Sequence, residues 1–278
     1  MPHDGVGGVD VSGNRENGGA GRGHSGGAGA TASHADVDVE ALALGLNAAL
    51  AKNGTPERAE YEKKYLKSSL PHHGTTVPVV RQLVKALLRA QPDLTCPQLL
   101  AIAEELWELG VHEARAAAAE LLAIRESCLT PDDLPLLTRL LREARTWALV
   151  DELAARVVGP LRSRYPETDV TLAAWATNPD FWLRRAALLA YLLPLRRGEE
   201  VFERFAQLAD QLLEEREFFI RKAIGWALRE RGKVAPEEVY TWLLPRLARA
   251  SGLTLREALK YLKPEQVALL KAASSATT

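Results

Sequence analysis

The stretch Leu183-Arg184-Arg185-Ala186-Ala187-Leu188 returns as Ile220-Arg221-Lys222-Ala223-Ile224 and again as Leu255-Arg256-Glu257-Ala258-Leu259. Each copy reads as an apolar residue, Arg, any residue, Ala, then apolar residues, at steps of 37 and 35 residues. A degenerate copy, Ala114-Arg115-Ala116-Ala117, lies about two steps upstream of the first. Trp147-Ala148-Leu149-Val150-Asp151 fills the gap, 36 residues before Leu183, without the Arg. A fixed period in this range marks a stack of helical hairpins, in which each unit buries its apolar face only against its neighbours. It predicts an all-α fold, a right-handed type of solenoid of helical hairpin repeats with a long concave cleft. The arginines recur in phase, so they are expected to line one surface. An ordered row of guanidiniums suits a polyanion partner.

Outward from these copies the pattern stays helical. From about Val37 the apolar spacing is that of a helix, beginning with Ala41, Leu44, Leu46 and Leu50. Thr55-Pro56 and Thr76-Val77-Pro78 are helix-start signals, the second opening a helix to about Ala90. Pro71-His72-His73-Gly74 breaks the chain between them. Prolines and glycines, Pro160 among them, cut the remainder into segments of ordinary helix length, and no stretch alternates as a strand would. The reading is one domain over residues 37–278. Residues 1–36 differ in kind. Eleven of the chain's 20 glycines fall there, among Ser, Asn, His and Asp. Such a segment cannot bury enough apolar surface to offset its ordering entropy, so it reads as a disordered tail. Its glycine strings have no strand before them and no amphipathic helix after them, which argues against a dinucleotide loop. His3, His24 and His34 are too scattered for a metal site.

The formal net charge of −1 argues weakly against a nucleic-acid partner. The balance is uneven, however. Residues 1–40 hold two basic and six acidic groups, which leaves 33 basic against 30 acidic in the body. Placement therefore matters more than the total. Cys96 and Cys128 have no CxxC spacing, so they suggest buried small hydrophobes in a reducing compartment. No secretory segment follows the start, and no apolar run reaches membrane-spanning length. The default expectation is a soluble, cytoplasmic monomer with no membrane contact.

There is no HExxH, GxxxxGK[ST] or GxSxG, and no zinc-spaced Cys/His cluster, so no metal and no nucleotide cofactor is expected. His72-His73 in a turn and His112 at a helix start read as solvated or capping groups. Trp147 and Asp151 stand four apart and so share a helix face. A Trp ring beside a carboxylate can hold a cation or a developing positive charge, the ring through its quadrupole and the acid through its full charge. Trp226, two repeats on, would form a second wall of the same cleft. Gly225 would let a substrate backbone approach closely. Spacing alone allows the plainer reading, in which the tryptophans are core and Asp151 is a solvated helix charge.

In this order the motifs resemble the HEAT-like-repeat DNA alkylation repair enzymes, the AlkD-type alkylpurine DNA glycosylases. The resemblance spans about residues 57–262. It rests on Tyr65-Leu66-Lys67 followed by Gly74 and Pro78-Val79-Val80-Arg81; on Leu106-Trp107-Glu108 with His112-Glu113-Ala114-Arg115; on Trp147 to Asp151; on Trp182-Leu183-Arg184-Arg185; and most of all on the run Phe218 to Glu230, before Arg256-Glu257-Ala258. It implies removal of cationic N-alkylated purines such as 7-methylguanine and 3-methyladenine from double-stranded DNA. Trp147 and Trp226 then match the family's cleft tryptophans, Asp151 its catalytic carboxylate and Arg185 its nearby DNA-contacting arginine, with Arg184 as the alternative one residue away. Arg221, Lys222, Arg229 and Arg256 would join in gripping phosphates. The Pro71-to-Gly74 turn departs from the family's usual Phe-Leu-Gly, and the glycine-rich tail has no counterpart there.

That chemistry suits the residues. A cationic purine departs as a neutral base, so little acid catalysis is needed and the transition state resembles an oxocarbenium ion. An ionised Asp151 would stabilise the sugar's charge and place a water, while the indoles exclude solvent. The competing readings are a DNA-binding relative without catalysis and a protein-binding scaffold.

Overall fold

The computed structural model describes residues 37–276, with side chains to residue 273. The tail assigned to residues 1–36, with its three histidines, lies outside the described residues. Sixteen α-helices follow in chain order among the described residues. They are α1 (Val39–Lys52), α2 (Pro56–Leu66), α3 (Val77–Ala90), α4 (Cys96–Glu108), α5 (His112–Ile124) and α6 (Leu134–Glu143). Then come α7 (Trp147–Leu153), α8 (Gly159–Arg164), α9 (Asp169–Ala176), α10 (Phe181–Leu189), α11 (Leu192–Arg197) and α12 (Phe202–Gln211). The last are α13 (Phe218–Gly232), α14 (Pro236–Leu243), α15 (Gly252–Ala258) and α16 (Pro264–Ala276). No described residue is in a strand, and no described helix is long and apolar enough to cross a membrane.

The five copies of the repeat fall on α5, α7, α10, α13 and α15, and each of these packs on the next. They make one row. A second row flanks it: α4 lies on α5, α6 on α7, α9 and α12 on α10, and α14 on α13. Four row helices start at a polar cap just ahead of the repeat. Thr146, Asp180, Glu217 and Ser251 each accept a hydrogen bond from a backbone N–H of the first turn. That contact satisfies a donor the helix itself leaves open. The repeat's apolar and Ala positions (Leu183, Ala186, Ile220, Ala223, Ala258) are wholly buried. Alanine recurs because a larger side chain would hold neighbouring helices apart.

The recurring Arg also has a local cause. Arg184 donates to the carbonyls of Asn178 and Pro179 (2.7 and 2.8 Å), and Arg221 to that of Glu215 (2.6 Å). Arg115 donates to the carbonyls of Trp107 (3.1 Å) and Glu143 (2.5 Å). Arg184 and Arg221 turn back onto the loop preceding their own helix and satisfy carbonyls there, whereas Arg115 reaches the last turns of α4 and α6. The phase of Arg184 and Arg221 thus follows from one loop closure repeated in successive hairpins.

Three sequence expectations change. Gly225 faces α15, not a ligand: a Cβ there would lie 2.8 Å from the Glu257 Cβ and 3.0 Å from the Thr254 carbonyl. Pro160 does not end its helix. α7 runs through a π-helical turn (Ala154–Val158) directly into α8, with Pro160 in the first turn of α8. A π turn shifts the hydrogen-bond register, which accommodates a residue without an N–H. Cys96 and Cys128 are not free thiols; they form a disulfide with Cα atoms 5.3 Å apart. Antiparallel packing of α4 and α5 brings the start of one beside the end of the other, which the 32-residue separation hides. The sequence argument for a reducing compartment falls with that pairing.

Candidate active site on the row helices

Asp151 sits on α7 one turn after Trp147, and the side chains of both are partly exposed. From α10, Arg185 meets Asp151 with a two-pronged fork. Its Nε donates to Oδ1 at 2.7 Å and its Nη2 to Oδ2 at 2.8 Å. The third prong, Nη1, donates to the carbonyl of Phe219 on α13 at 2.5 Å. One guanidinium therefore joins three successive row helices. It is 3% exposed, whereas the Asp151 side chain keeps 13% of its surface. Burial pushes the Asp151 carboxyl above its ordinary value, and the hydrogen bonds and charge of Arg185 oppose that push. The fork takes one acceptor site on each oxygen, so both retain a lone pair for a further partner.

The aromatic surroundings are only partly those expected. The ring packed against Trp147 is Tyr65 of α2, edge-on with centroids 5.9 Å apart, and Tyr65 in turn stacks on Tyr61. Trp226 is half-buried on α13. It shares a stripe of that helix with Phe219, Lys222 and Arg229 by spacings of three and four. Phe219 also closes a cluster with Phe181 and Trp182 of α10, and its ring lies 5.7 Å from the Arg185 guanidinium. Of six tryptophans, Trp107, Trp175 and Trp242 are buried, while Trp147, Trp182 and Trp226 are partly exposed. The exposed three all belong to α7, α10 and α13. The sequence pattern assigns Tyr65 and Phe219 no role. Nothing in the spacing between α2 and α7 signals that Tyr65 reaches Trp147.

The expected phosphate-gripping row is largely engaged within the chain. Arg185 binds Asp151, and Arg184 also pairs with Glu215 (3.0 Å). Lys222 and Lys260 reach Glu257 at 2.6 and 3.0 Å, and Arg229 pairs with the same carboxylate. Arg256, exposed on α15, is the most open of the six. Glu257 is 6% exposed. Burial alone would raise its pKa, but the two lysines and Arg229 bring it down to about 2. A carboxyl depressed on folding stabilises the fold above its unfolded pKa, and the gain is lost as pH falls through the folded value. Wild-type stability is therefore expected to drop between pH 4.5 and pH 2. The drop should be steeper than in Glu257→Gln by up to about one proton in urea titrations across that range. Parallel acid limbs for the two proteins would count against this linkage.

His72 and His112, expected to be solvated or capping, are neither. The rings of His72 and His112 stack with centroids 4.4 Å apart, and His112 is buried. The reason is a tertiary contact: the α2–α3 turn folds onto the start of α5, where the His112 N–H donates to the Pro71 carbonyl at 3.0 Å.

Residues 46–262 match the model of a family described as DNA alkylation repair enzyme, a span that takes in all five row helices. Among solved structures the chain is similar to one titled a predicted DNA alkylation repair enzyme from Enterococcus faecalis. The TM-score is 0.68, with 24% identity over 76% of this chain and 98% of that one, a likeness of fold. No curated protein matches the chain.

Proposed function

Because this chain belongs to the DNA alkylation repair enzyme family, we propose that it is a monofunctional DNA glycosylase. On this reading it works as a monomer, without metal or nucleotide cofactor in the reaction. It hydrolyses the N-glycosidic bond of cationic N-alkylated purines, such as 7-methylguanine and 3-methyladenine, in double-stranded DNA. The fold is then the HEAT-like arrangement of the AlkD-type enzymes.

The observation that carries the reading is the Asp151 carboxylate, oriented by Arg185 and partly open to solvent one helical turn from Trp147. As the glycosidic bond lengthens, positive charge grows on the sugar and the base leaves neutral. A carboxylate fixed before the reaction stabilises that charge without reorganising. One free lone pair faces the sugar and another holds the water that attacks C1′. Arg185 is in this view the positioning residue for Asp151. Trp147 and Trp226 flank the sugar and exclude bulk water, which strengthens the electrostatic term. Arg256 contacts phosphate, as do the remaining donors of Arg184, Arg221, Lys222 and Arg229. Such contacts add salt sensitivity and little sequence preference.

The test is incubation of the pure protein with N-methylated duplex DNA, followed by chromatography of released bases. Free 7-methylguanine with intact sugar-phosphate strands is expected. Tight, salt-sensitive binding without release would instead indicate a non-catalytic DNA binder, and absence of both would leave a protein-binding scaffold.

A further inference from the structure

The turn between α2 and α3 is organised by one buried acid. Glu113, 1% exposed in the first turn of α5, accepts hydrogen bonds from the backbone N–H groups of His73 (2.9 Å), Gly74 (2.5 Å) and Thr75 (3.2 Å). Gly74 has φ +80°, and a Cβ there would stand 2.2 Å from the Thr55 carbonyl oxygen, so the turn needs glycine. Against this rigid turn lie polar atoms with no partner. Both ring nitrogens of His72 and Nδ1 of His112 are shielded from solvent and have no hydrogen-bond partner among the described residues. Shielded nitrogens without partners are costly and call for a physical explanation.

Two carboxylates stand beside them. Glu62, His72 and Glu113 each offer one donor atom, and the three lie within 4.8 Å of one another. We propose that Glu62, His72 and Glu113 bind a divalent transition-metal ion, zinc by the character of the donors, which clasps α2 to α5. An imidazole with two carboxylates suits a borderline ion; magnesium and calcium prefer all-oxygen shells. Zinc bonds of about 2.0–2.2 Å would draw the donors to roughly 3.5 Å apart and leave a fourth position for water. Arg58 pairs with one oxygen of Glu62 and leaves the other available, and Oε2 of Glu113, which accepts only from His73, keeps one lone pair while Oε1 is filled by Gly74 and Thr75.

The position also gives the ion a role. α2 buries a single residue, Ala59, and leaves Tyr61 and Tyr65 at 68% and 62% exposure. Yet this thinly packed helix carries the ring that meets Trp147. A bond from Glu62 through metal to Glu113 would fasten it where apolar contact is sparse. None of this depends on the base-excision reading.

The experiment is calorimetric titration of the full chain, stripped with chelator, with Zn²⁺ alone, together with hydrogen exchange of residues 56–66. One ion per chain with a Kd in the low micromolar range or tighter is expected, with slower exchange in α2. His72→Ala and the isosteric Glu62→Gln should each weaken binding on the order of a hundredfold and abolish that protection. Equal zinc binding by wild type and both variants would place the metal elsewhere, for instance on His3, His24 and His34, and overturn the proposal. So would the absence of binding below about 100 μM in the wild type.

Discussion

Asp151→Asn is expected to reduce the release of 7-methylguanine by at least about a hundredfold while duplex binding stays within severalfold. The substitution keeps the shape and removes the charge. Taking away a preorganised electrostatic group at a reacting centre typically costs about 2.7–4 kcal/mol, or a factor of 10² to 10³. The geometry adds a second effect. Arg185 donates to both oxygens of Asp151. An amide offers one acceptor and turns an N–H₂ toward the other prong, so the side chain also loses its fixed aim. Trp226→Ala removes a partly exposed ring and should show a smaller loss. The measurement is single-turnover base release at saturating enzyme, with circular dichroism to confirm the fold. If Asp151→Asn acts within about threefold of wild type, a loss of only some 0.6 kcal/mol in transition-state stabilisation, the carboxylate has no part in the chemistry.

The second large effect is on stability. Arg185→Met should destabilise the protein by about 3–5 kcal/mol, because it leaves the largely shielded Asp151 carboxylate without its counter-charge. It also removes the hydrogen bond that Arg185 donates to the Phe219 carbonyl. Arg185→Lys should fall between, since an ammonium cannot supply the planar fork. Combining Asp151→Ala with Arg185→Met should recover part of the loss, as no uncompensated charge then remains. Urea unfolding of the four proteins checks this. A simple phosphate-contacting arginine predicts the opposite pattern: unchanged stability and a shallower salt dependence of DNA binding.

Much of the helical framework was legible because its signals are local. Thr55-Pro56 and Thr76-Val77-Pro78 mark the starts of α2 and α3, and Ala90 ends α3 as the spacing implied. The repeat located every helix of the row, because buried Leu, Ile and Ala must recur wherever one hairpin meets the next. Pro160 misled because a π turn is invisible to apolar periodicity. The arginines were placed on the right helices, but their direction was not legible: Arg184 turns to loop carbonyls and Arg185 to Asp151, and adjacent helical positions differ by about 100° in facing. Trp147 and Asp151 could be paired from a spacing of four. Their neighbours Tyr65 and Arg185 come from α2 and α10, and no local rule links those segments. The same holds for the cysteine pair and for His72 on His112, each created by helices that pack after folding.

The division of the six indoles between core and surface has a practical consequence. A water-soluble quencher should extinguish emission from Trp147, Trp182 and Trp226 and leave Trp107, Trp175 and Trp242 bright. The quenchable half of the molecule's own ultraviolet glow thus originates on α7, α10 and α13. The protein carries a label-free optical gauge of whatever settles over its proposed reaction centre.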